Sequence, residues 1–127
     1  MNTPHDIGIA AQIGKYGDAV EVPAGARWLV TAGTPGLTAD GDVPEGIVAQ
    51  AEVAWTHIVT LLARAGMTIG DLVKVTQYLT RESDIAEYAR VRSRYLGEAR
   101  PASMLLVVPA LVRRDLLLEI EVLAAKR

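Results

Sequence analysis

Two glutamates near the C-terminal end, Glu119 and Glu121, have the sequence context that most favours chemistry. They alternate with apolar residues in the segment LEIEVLA, residues 118–124, and this alternation predicts a β-strand with both carboxylates on one face. One interpretation is that they are solvated surface groups. If a neighbouring subunit covers that face, desolvation would instead raise the pKa of a carboxylate, which could then transfer a proton or orient a water molecule.

A second candidate is the loop TAGTPG, residues 31–36, which directly follows an apolar strand segment. The small side chains of Thr31, Ala32 and Gly33 would leave backbone N–H groups open to a ligand. An ordinary turn is the alternative interpretation, because glycine and proline are the usual turn residues.

The other ionisable residues are interpreted as structural. His57 lies on a predicted helix, off its apolar stripe, and is read as a surface or hydrogen-bonded histidine, with a general base as the alternative. The clustered arginines are read as solvated surface: Arg90, Arg92, Arg94, Arg113 and Arg114.

Composition excludes several classes of site. The chain has no cysteine and only two histidines, so a disulfide, a thiol nucleophile and a metal centre are not expected, and no cofactor is implied. A net charge of −2 with dispersed basic residues gives no electrostatic footprint for nucleic acid. No apolar run is long enough to span a bilayer, and no signal-peptide pattern is present, so we expect a cytoplasmic protein without a membrane partner.

Size and hydrophobicity predict one domain, residues 1–127, that associates with copies of itself. Half of the 127 residues are hydrophobic and 22% are charged. A domain of this size buries only about two-thirds of the surface of its unfolded chain. The apolar surface left over therefore favours a subunit interface.

The clearest predicted element is a long helix. Apolar residues recur at spacings of three and four between positions 48 and 65, Asp42 and Glu45 predict a capping box, and Gly66 predicts the end of the helix. A second helix is predicted to be capped by Ser83 and to end at Gly97.

Apolar and β-branched runs predict the strands, at residues 7–13, 19–22, 28–30, 72–79, 103–108 and 116–124. The order is ββαβαββ. It predicts an α+β fold in which both helices cover one face of a mostly antiparallel or mixed sheet.

Three segments together resemble the RidA/YjgF (reactive intermediate deaminase) family. The run LLARAGMTIGDLVKVTQYLT resembles the family signature A-G-x-x-x-x-D-(V/L)-V-K-x-T-x-(Y/F)-L-T. The end, RPASMLLVVPALVRRDLLLEIEVLA, is similar to the closing block P-A-R-(S/T)…(V/I)-E-I-E-A-I-A. Tyr16 in IGKYGDAV resembles the tyrosine of I-G-P-Y-S-Q-A-V, and residues 31–35 occupy the place of S-G-Q-I-P.

The resemblance implies a chorismate-mutase-like fold, a homotrimer and small-molecule clefts between subunits. It also implies hydrolysis of enamine or imine intermediates of amino acids, with Glu119 as the catalytic, water-holding residue. Its implied substrate-binding residues are Tyr16, Thr31, Ala32, Gly33, Ser103, Met104 and Leu105.

The chain departs from the family pattern at one position of the implied site. Deaminating members carry an arginine after the Pro-Ala pair, which grips the substrate carboxylate, and Ser103 stands there instead. Arg100 and Arg113 lie nearby in the sequence and are candidates to replace it. An ordinary 2-imino acid is therefore not the expected substrate.

Three functions remain open from the sequence. The first is a hydrolase or tautomerase of a small imine or enamine. The second is a non-catalytic trimer that binds or senses a small metabolite. The third is an interaction or chaperone-like module.

Overall fold

The computed structural model describes all 127 residues. Its helices are α1 (Ile47–Arg64) and α2 (Ile85–Leu96). Its strands are β1 (Thr3–His5), β2 (Ala19–Glu21), β3 (Arg27–Val30), β4 (Thr34–Pro35), β5 (Leu72–Leu79), β6 (Ala102–Val107) and β7 (Leu118–Lys126). Short 3₁₀ turns span Ala10–Gln12, Ile69–Asp71 and Glu82–Asp84.

The main sheet is mixed and has the strand order β3-β7-β5-β6. β4 continues the line of β3 along the same edge of β7. Every pair in this sheet is antiparallel except β5 with β6, which α2 connects. A parallel pair requires such a crossover, because a tight turn can join only antiparallel strands. β1 and β2 form a separate two-stranded sheet.

Both helices pack on one face of the main sheet, which confirms the predicted α+β architecture. Alternate residues of β5 and β7 are buried there, as the period of a strand requires. Trp55 of α1 has no exposed surface and stacks on Tyr95 of α2 with ring centroids 6.1 Å apart. The fully buried core also includes Ile58, Leu62, Val75, Leu79, Tyr88, Leu118 and Ile120.

The opposite side of the main sheet, here called the open face, carries exposed apolar side chains. Trp28 and Val30 of β3 are 54% and 69% exposed. Met104 and Leu106 of β6, which pair with Thr76 and Tyr78, are exposed on the same face. Large apolar side chains exposed at both edges of one sheet face are typical of a face that another protein surface covers.

The predicted strand at residues 7–13 is wrong. The carboxylate of Asp18 accepts backbone hydrogen bonds from Ile7 (2.7 Å), Gly8 (3.2 Å) and Ala10 (2.8 Å). These bonds curl the segment into a loop with one 3₁₀ turn, because its N–H groups are no longer available to a partner strand. The apolar alternation that suggested a strand is exposed, with Ile7 at 79%.

Both predicted helix caps are also wrong. α1 begins after Gly46, whose φ of 87° suits glycine, and neither Asp42 nor Glu45 caps it. α2 begins after Asp84, and Ser83 lies within the preceding 3₁₀ turn. No helix is both long and apolar enough to cross a membrane.

Candidate functional site

Glu119 lies on β7 between two core residues and points to the open face. Leu118 and Ile120 on either side of it have no exposed surface, so the predicted alternation of this strand is confirmed. Its backbone is paired with Tyr78 of β5 on one side and Pro35 of β4 on the other. Glu119 is therefore half-buried and held by strands on both sides.

Gly33 packs directly against the side chain of Glu119. A Cβ atom on Gly33 would lie 2.9 Å from Cδ of Glu119 and 3.1 Å from its Oε2. Only glycine leaves room for the carboxylate in this position. No side chain or backbone group of the protein donates a hydrogen bond to that carboxylate, so its acceptor sites are free for a water molecule or a ligand.

The loop between β3 and β4 leaves two backbone donors free beside Glu119. Thr31 is tied to β7, because its N–H donates to Val122 O (3.1 Å) and its Oγ1 accepts from Val122 N (2.9 Å). The next two residues, Ala32 and Gly33, are exposed, and their N–H groups find no acceptor in the chain. A free carboxylate next to free N–H groups can hold a water molecule and a polarised ligand atom side by side.

Glu121 has a different environment on the same face. It is exposed, and the hydroxyl of Tyr78 donates to its Oε1 at 3.5 Å, which is a long contact. Lys74, Thr76 and Glu121 line a small pocket of about 140 Å³. Glu121 therefore has polar neighbours that Glu119 lacks.

Tyr16 lies at the far edge of the sheet. The next residue, Gly17, forms a β-bridge with Ala102 and donates to Pro101 O at 3.1 Å. A Cβ on Gly17 would lie 2.8 Å from Arg100 O, so glycine is required for this close approach. The hydroxyl of Tyr16 makes no hydrogen bond within the chain and is available to a ligand.

The structure separates Tyr16 from Glu119. Ala102 aligns with Leu123 across β5, and Glu119 lies four residues farther along β7. At about 3.3 Å per residue and 4.8 Å per strand, the backbones at these two positions are roughly 15–20 Å apart. One copy of the chain therefore does not bring the two residues into one small-molecule site.

Ser103, Met104 and Leu105 do not share a face, because side chains alternate along β6. Met104 is exposed on the open face, whereas Leu105 packs against the helix-side core. Ser103 also points to the helix side, where its Oγ accepts a hydrogen bond from Nε2 of Gln77 at 3.0 Å.

Gln77 organises a polar cluster that the sequence analysis did not anticipate. It has no exposed surface, and its Oε1 accepts from Tyr88 Oη (2.8 Å) and Arg92 Nη1 (3.0 Å). Its Nε2 donates to Ser103 Oγ and to Met104 O (2.8 Å). Burial raises the pKa of Tyr88 although the nearby Arg92 charge lowers it, so the hydroxyl stays a donor at neutral pH.

Arg92 was read as solvated surface, and this interpretation is wrong. It is half-buried, and its guanidinium lies 5.5 Å from the centre of the Tyr88 ring. The signal in the sequence was Gln77 itself, a polar residue at a core position of the strand LVKVTQYL, since a buried amide needs polar partners.

The two arginines considered as replacements at position 103 are engaged elsewhere. Arg100 Nη1 donates to the carbonyl oxygens of Gly97 and Ala99, both at 2.8 Å. Arg113 forms an ion pair with Asp115 at 2.9 Å. His57 is also satisfied, because its Nε2 donates to Leu37 O at 2.7 Å.

Comparison with known proteins agrees with this architecture. The family model described as Endoribonuclease L-PSP matches residues 8–126. A RutC family protein of Pyrococcus abyssi is 34% identical over 116 residues, which span 90% of this chain and 88% of the relative. TdcF of Escherichia coli, by its name a candidate reactive intermediate deaminase, is 26% identical over the same shares of the two chains.

Solved structures give the same assignment. YyfB of Yersinia pestis, from the conserved Rid protein family, superposes with a TM-score of 0.85 at 26% identity and 98% coverage of both chains. The YjgF gene product of Escherichia coli superposes with a TM-score of 0.74 at 28% identity and 91% coverage of both chains. With this fold and these matches, the chain belongs to the RidA/YjgF family.

Proposed function

We propose that this protein hydrolyses a small imine or enamine metabolite in a cleft between copies of the chain. The observation that carries this proposal is the carboxylate of Glu119, half-buried against Gly33 and without any hydrogen-bond donor of its own chain. A carboxylate kept free in this way is suited to hold and deprotonate a water molecule.

The residues around it have complementary roles in such a reaction. Glu119 takes a proton from the water that adds to the carbon of the C=N bond, while the hydroxyl of Tyr16 protonates the nitrogen, so that a carbinolamine forms. The C–N bond then breaks as the carbinol oxygen returns a proton to Tyr16 and becomes the carbonyl oxygen, and Glu119 gives its proton to the nitrogen, which leaves as ammonia or an amine. The free N–H groups of Ala32 and Gly33 orient the substrate. An enamine reaches the same route after tautomerising to the imine.

A homotrimer would complete the site. Tyr16 and Glu119 are too far apart within one copy, whereas the exposed apolar side chains of the open face, among them Trp28 and Val30, favour association. When copies pack through this face, the edge strand β6 of one copy comes beside β7 and the loop 31–36 of the next. Burial between subunits would also shield Glu119 from bulk water.

The substrate is not expected to be an ordinary 2-imino acid held as in the deaminating relatives. Position 103 offers a neutral hydroxyl in place of a guanidinium, so it cannot form a charge-assisted pair with a carboxylate. A charge-assisted hydrogen bond contributes about 1.5–3 kcal/mol, so its loss would weaken an anionic ligand by at least tenfold.

The test is imine hydrolysis, with neutral imines made in situ by an amine oxidase, 2-imino acids made by an L-amino-acid oxidase, and the unreacted imine trapped by semicarbazide. Because Glu119 is the proposed base, Glu119→Gln should lower turnover at least 100-fold. Glu121→Gln, two residues away on the same face, is the matched control and should retain turnover. Ser103→Arg is expected to raise the turnover of 2-imino acids at least tenfold, because it restores a cation at the position that grips the carboxylate in the deaminating relatives.

Equal turnover of the wild type and Glu119→Gln would remove Glu119 from the mechanism. If no imine or enamine is turned over by any variant, the second candidate, a non-catalytic metabolite-binding trimer, is favoured instead. The observation in its favour is the same serine at position 103. RNA cleavage has little support in the site, since the rings of His5 and His57 are both hydrogen-bonded elsewhere.

A further inference from the structure

Arg92 is a half-buried cation without an anionic partner. Three other arginines of the chain, Arg81, Arg94 and Arg113, each pair with a carboxylate. Arg92 instead donates one hydrogen bond, from Nη1 to Gln77 Oε1 at 3.0 Å, and no carboxylate lies within 4.0 Å of it. A partly desolvated guanidinium is costly unless an anion satisfies it.

The buried amide of Gln77 fixes the position of this guanidinium. Tyr88 and Arg92 fill both acceptor sites of Oε1, while Ser103 Oγ and Met104 O accept from Nε2. The amide therefore has only one orientation that satisfies its neighbours. The Tyr88 ring under Arg92 adds a second constraint. Arg92 is thus pre-positioned by the protein, which lowers the entropy lost when a ligand binds.

Ser103 offers a second free donor beside Arg92. Its Oγ accepts from Gln77, so its own O–H group points elsewhere and finds no acceptor in the chain. Arg92 Nη1 and Ser103 Oγ are each hydrogen-bonded to the same amide, which places them at most about 8 Å apart. Because the amide bends the path between them, the two donors lie closer than this limit, within reach of the two oxygens of one carboxylate.

We propose that Arg92, together with the hydroxyl of Ser103, binds the carboxylate of a small anionic ligand at the β6 edge of the cleft. This inference rests on the proposed function, since it takes this edge as part of the ligand site. The charge comes from helix α2 and not from strand β6. The ligand's carboxylate therefore lies closer to the helix layer than a side chain at position 103 would hold it.

The first test is the binding of pyruvate to the full-length protein, with pyruvamide as its neutral, nearly isosteric counterpart. Calorimetry gives the affinity, and NMR of the arginine Nε–H and glutamine side-chain resonances shows which groups respond. We expect pyruvate to shift the signals of Arg92 and Gln77. Arg92→Met should weaken pyruvate binding by about 10- to 100-fold and leave pyruvamide binding unchanged.

Arg90→Met is the matched control, because Arg90 lies on the same helix, is exposed and makes no hydrogen bond or ion pair. It should bind pyruvate as the wild type does. Arg92→Lys keeps the charge but lacks the planar pair of donors, so it should weaken pyruvate binding several-fold. It also tests the inference if Arg92→Met does not fold.

Two results overturn the inference: wild-type protein that shows no saturable pyruvate binding, and Arg92 variants that bind pyruvate as tightly as the wild type. Glu119→Gln separates this inference from the proposed function. It should abolish turnover and retain pyruvate binding, because Glu119 is the proposed base and not the anchor. If Glu119→Gln loses turnover and the Arg92 variants bind pyruvate as the wild type does, the proposed function stands and the inference about Arg92 is wrong.

Discussion

A single methyl group on Gly33 would lie 2.9 Å from the carboxyl carbon of Glu119, so the loop after β3 and the last strand meet at these two residues. The contact joins two segments that are far apart in the sequence. It places free backbone donors beside a free carboxylate, and it makes the size of residue 33 a direct control on the position of Glu119.

Gly33→Ala should therefore damage the site more than the fold. The atoms in the way are the flexible end of Glu119, which can swing aside, so stability should fall by less than about 1 kcal/mol. Turnover, or ligand affinity, should fall at least tenfold because the carboxylate is displaced. Gly70→Ala is the control, since a methyl there meets only Thr68 Oγ1 at 3.5 Å. Wild-type activity in Gly33→Ala would show that Glu119 needs no fixed position.

Gly36→Ala should lower the stability of the fold more than it affects the site. A Cβ on Gly36 would lie 2.6 Å from the backbone of Gln50 on α1, which cannot move aside as a side-chain end can. Overpacking of this kind costs about 1–3 kcal/mol, which thermal or urea unfolding measures. An unfolding midpoint equal to that of Gly70→Ala would contradict the close packing of this loop on α1.

Gln77→Leu tests whether the buried polar cluster is cooperative. The variant leaves the hydroxyl of Tyr88 and one N–H of Arg92 without an acceptor, so we expect a loss of about 2–4 kcal/mol of unfolding free energy. Adding Tyr88→Phe should cost less in this background than in the wild type, because the hydroxyl has already lost its partner. Strict additivity in urea denaturation would show that the two side chains are uncoupled.

Asp18 should make stability depend on pH in the acid range. Backbone hydrogen bonds, first from Ile7 and then from Ala10, hold the pKa of Asp18 below its ordinary value of 3.8. A group whose pKa is lower in the folded state contributes stability above its unfolded pKa, and this contribution is lost as pH falls through the folded pKa. The midpoint of unfolding should therefore decrease below about pH 4.

Asp18→Asn should lower stability at neutral pH and flatten this acid decrease. Asp40→Asn is the control, since Asp40 is exposed and accepts no hydrogen bond. If Asp18→Asn and the wild type lose stability in parallel below pH 4, the loop carboxylate is not the titrating group.

Val30→Asp tests the proposed association through the open face. Val30 is 69% exposed in a single copy, so the charge should be tolerated by the isolated fold. Sedimentation should give about three times the chain mass of 13.6 kDa for the wild type and a smaller species for the variant. Val112→Asp is the control, because Val112 is 89% exposed and lies outside the sheet. A wild-type monomer would contradict the homotrimer.

Much of the fold could be predicted from local periodicity. One face of each main element is buried, and this shows in the sequence as an apolar stripe in α1, a β-branched run in β5 and an alternation in β7. Each pattern repeats within a few residues, so it can be recognised locally. For the same reason the sequence alone places Glu119 on the face opposite the core. The family resemblance in these segments agrees with the matches to known proteins.

Contacts between distant segments were decided only by the tertiary structure. The curl of residues 7–13 depends on Asp18, which captures backbone donors from up to 11 residues away, and no alternation pattern reports such a bond. The link from Arg92 through Gln77 to Ser103 joins α2, β5 and β6. The polar Gln77 at a core position indicates that a polar partner exists, but only the packing of α2 on β5 shows that this partner is Arg92. Sequence periodicity determines which face a side chain occupies, whereas the partners it meets there depend on how separate elements pack.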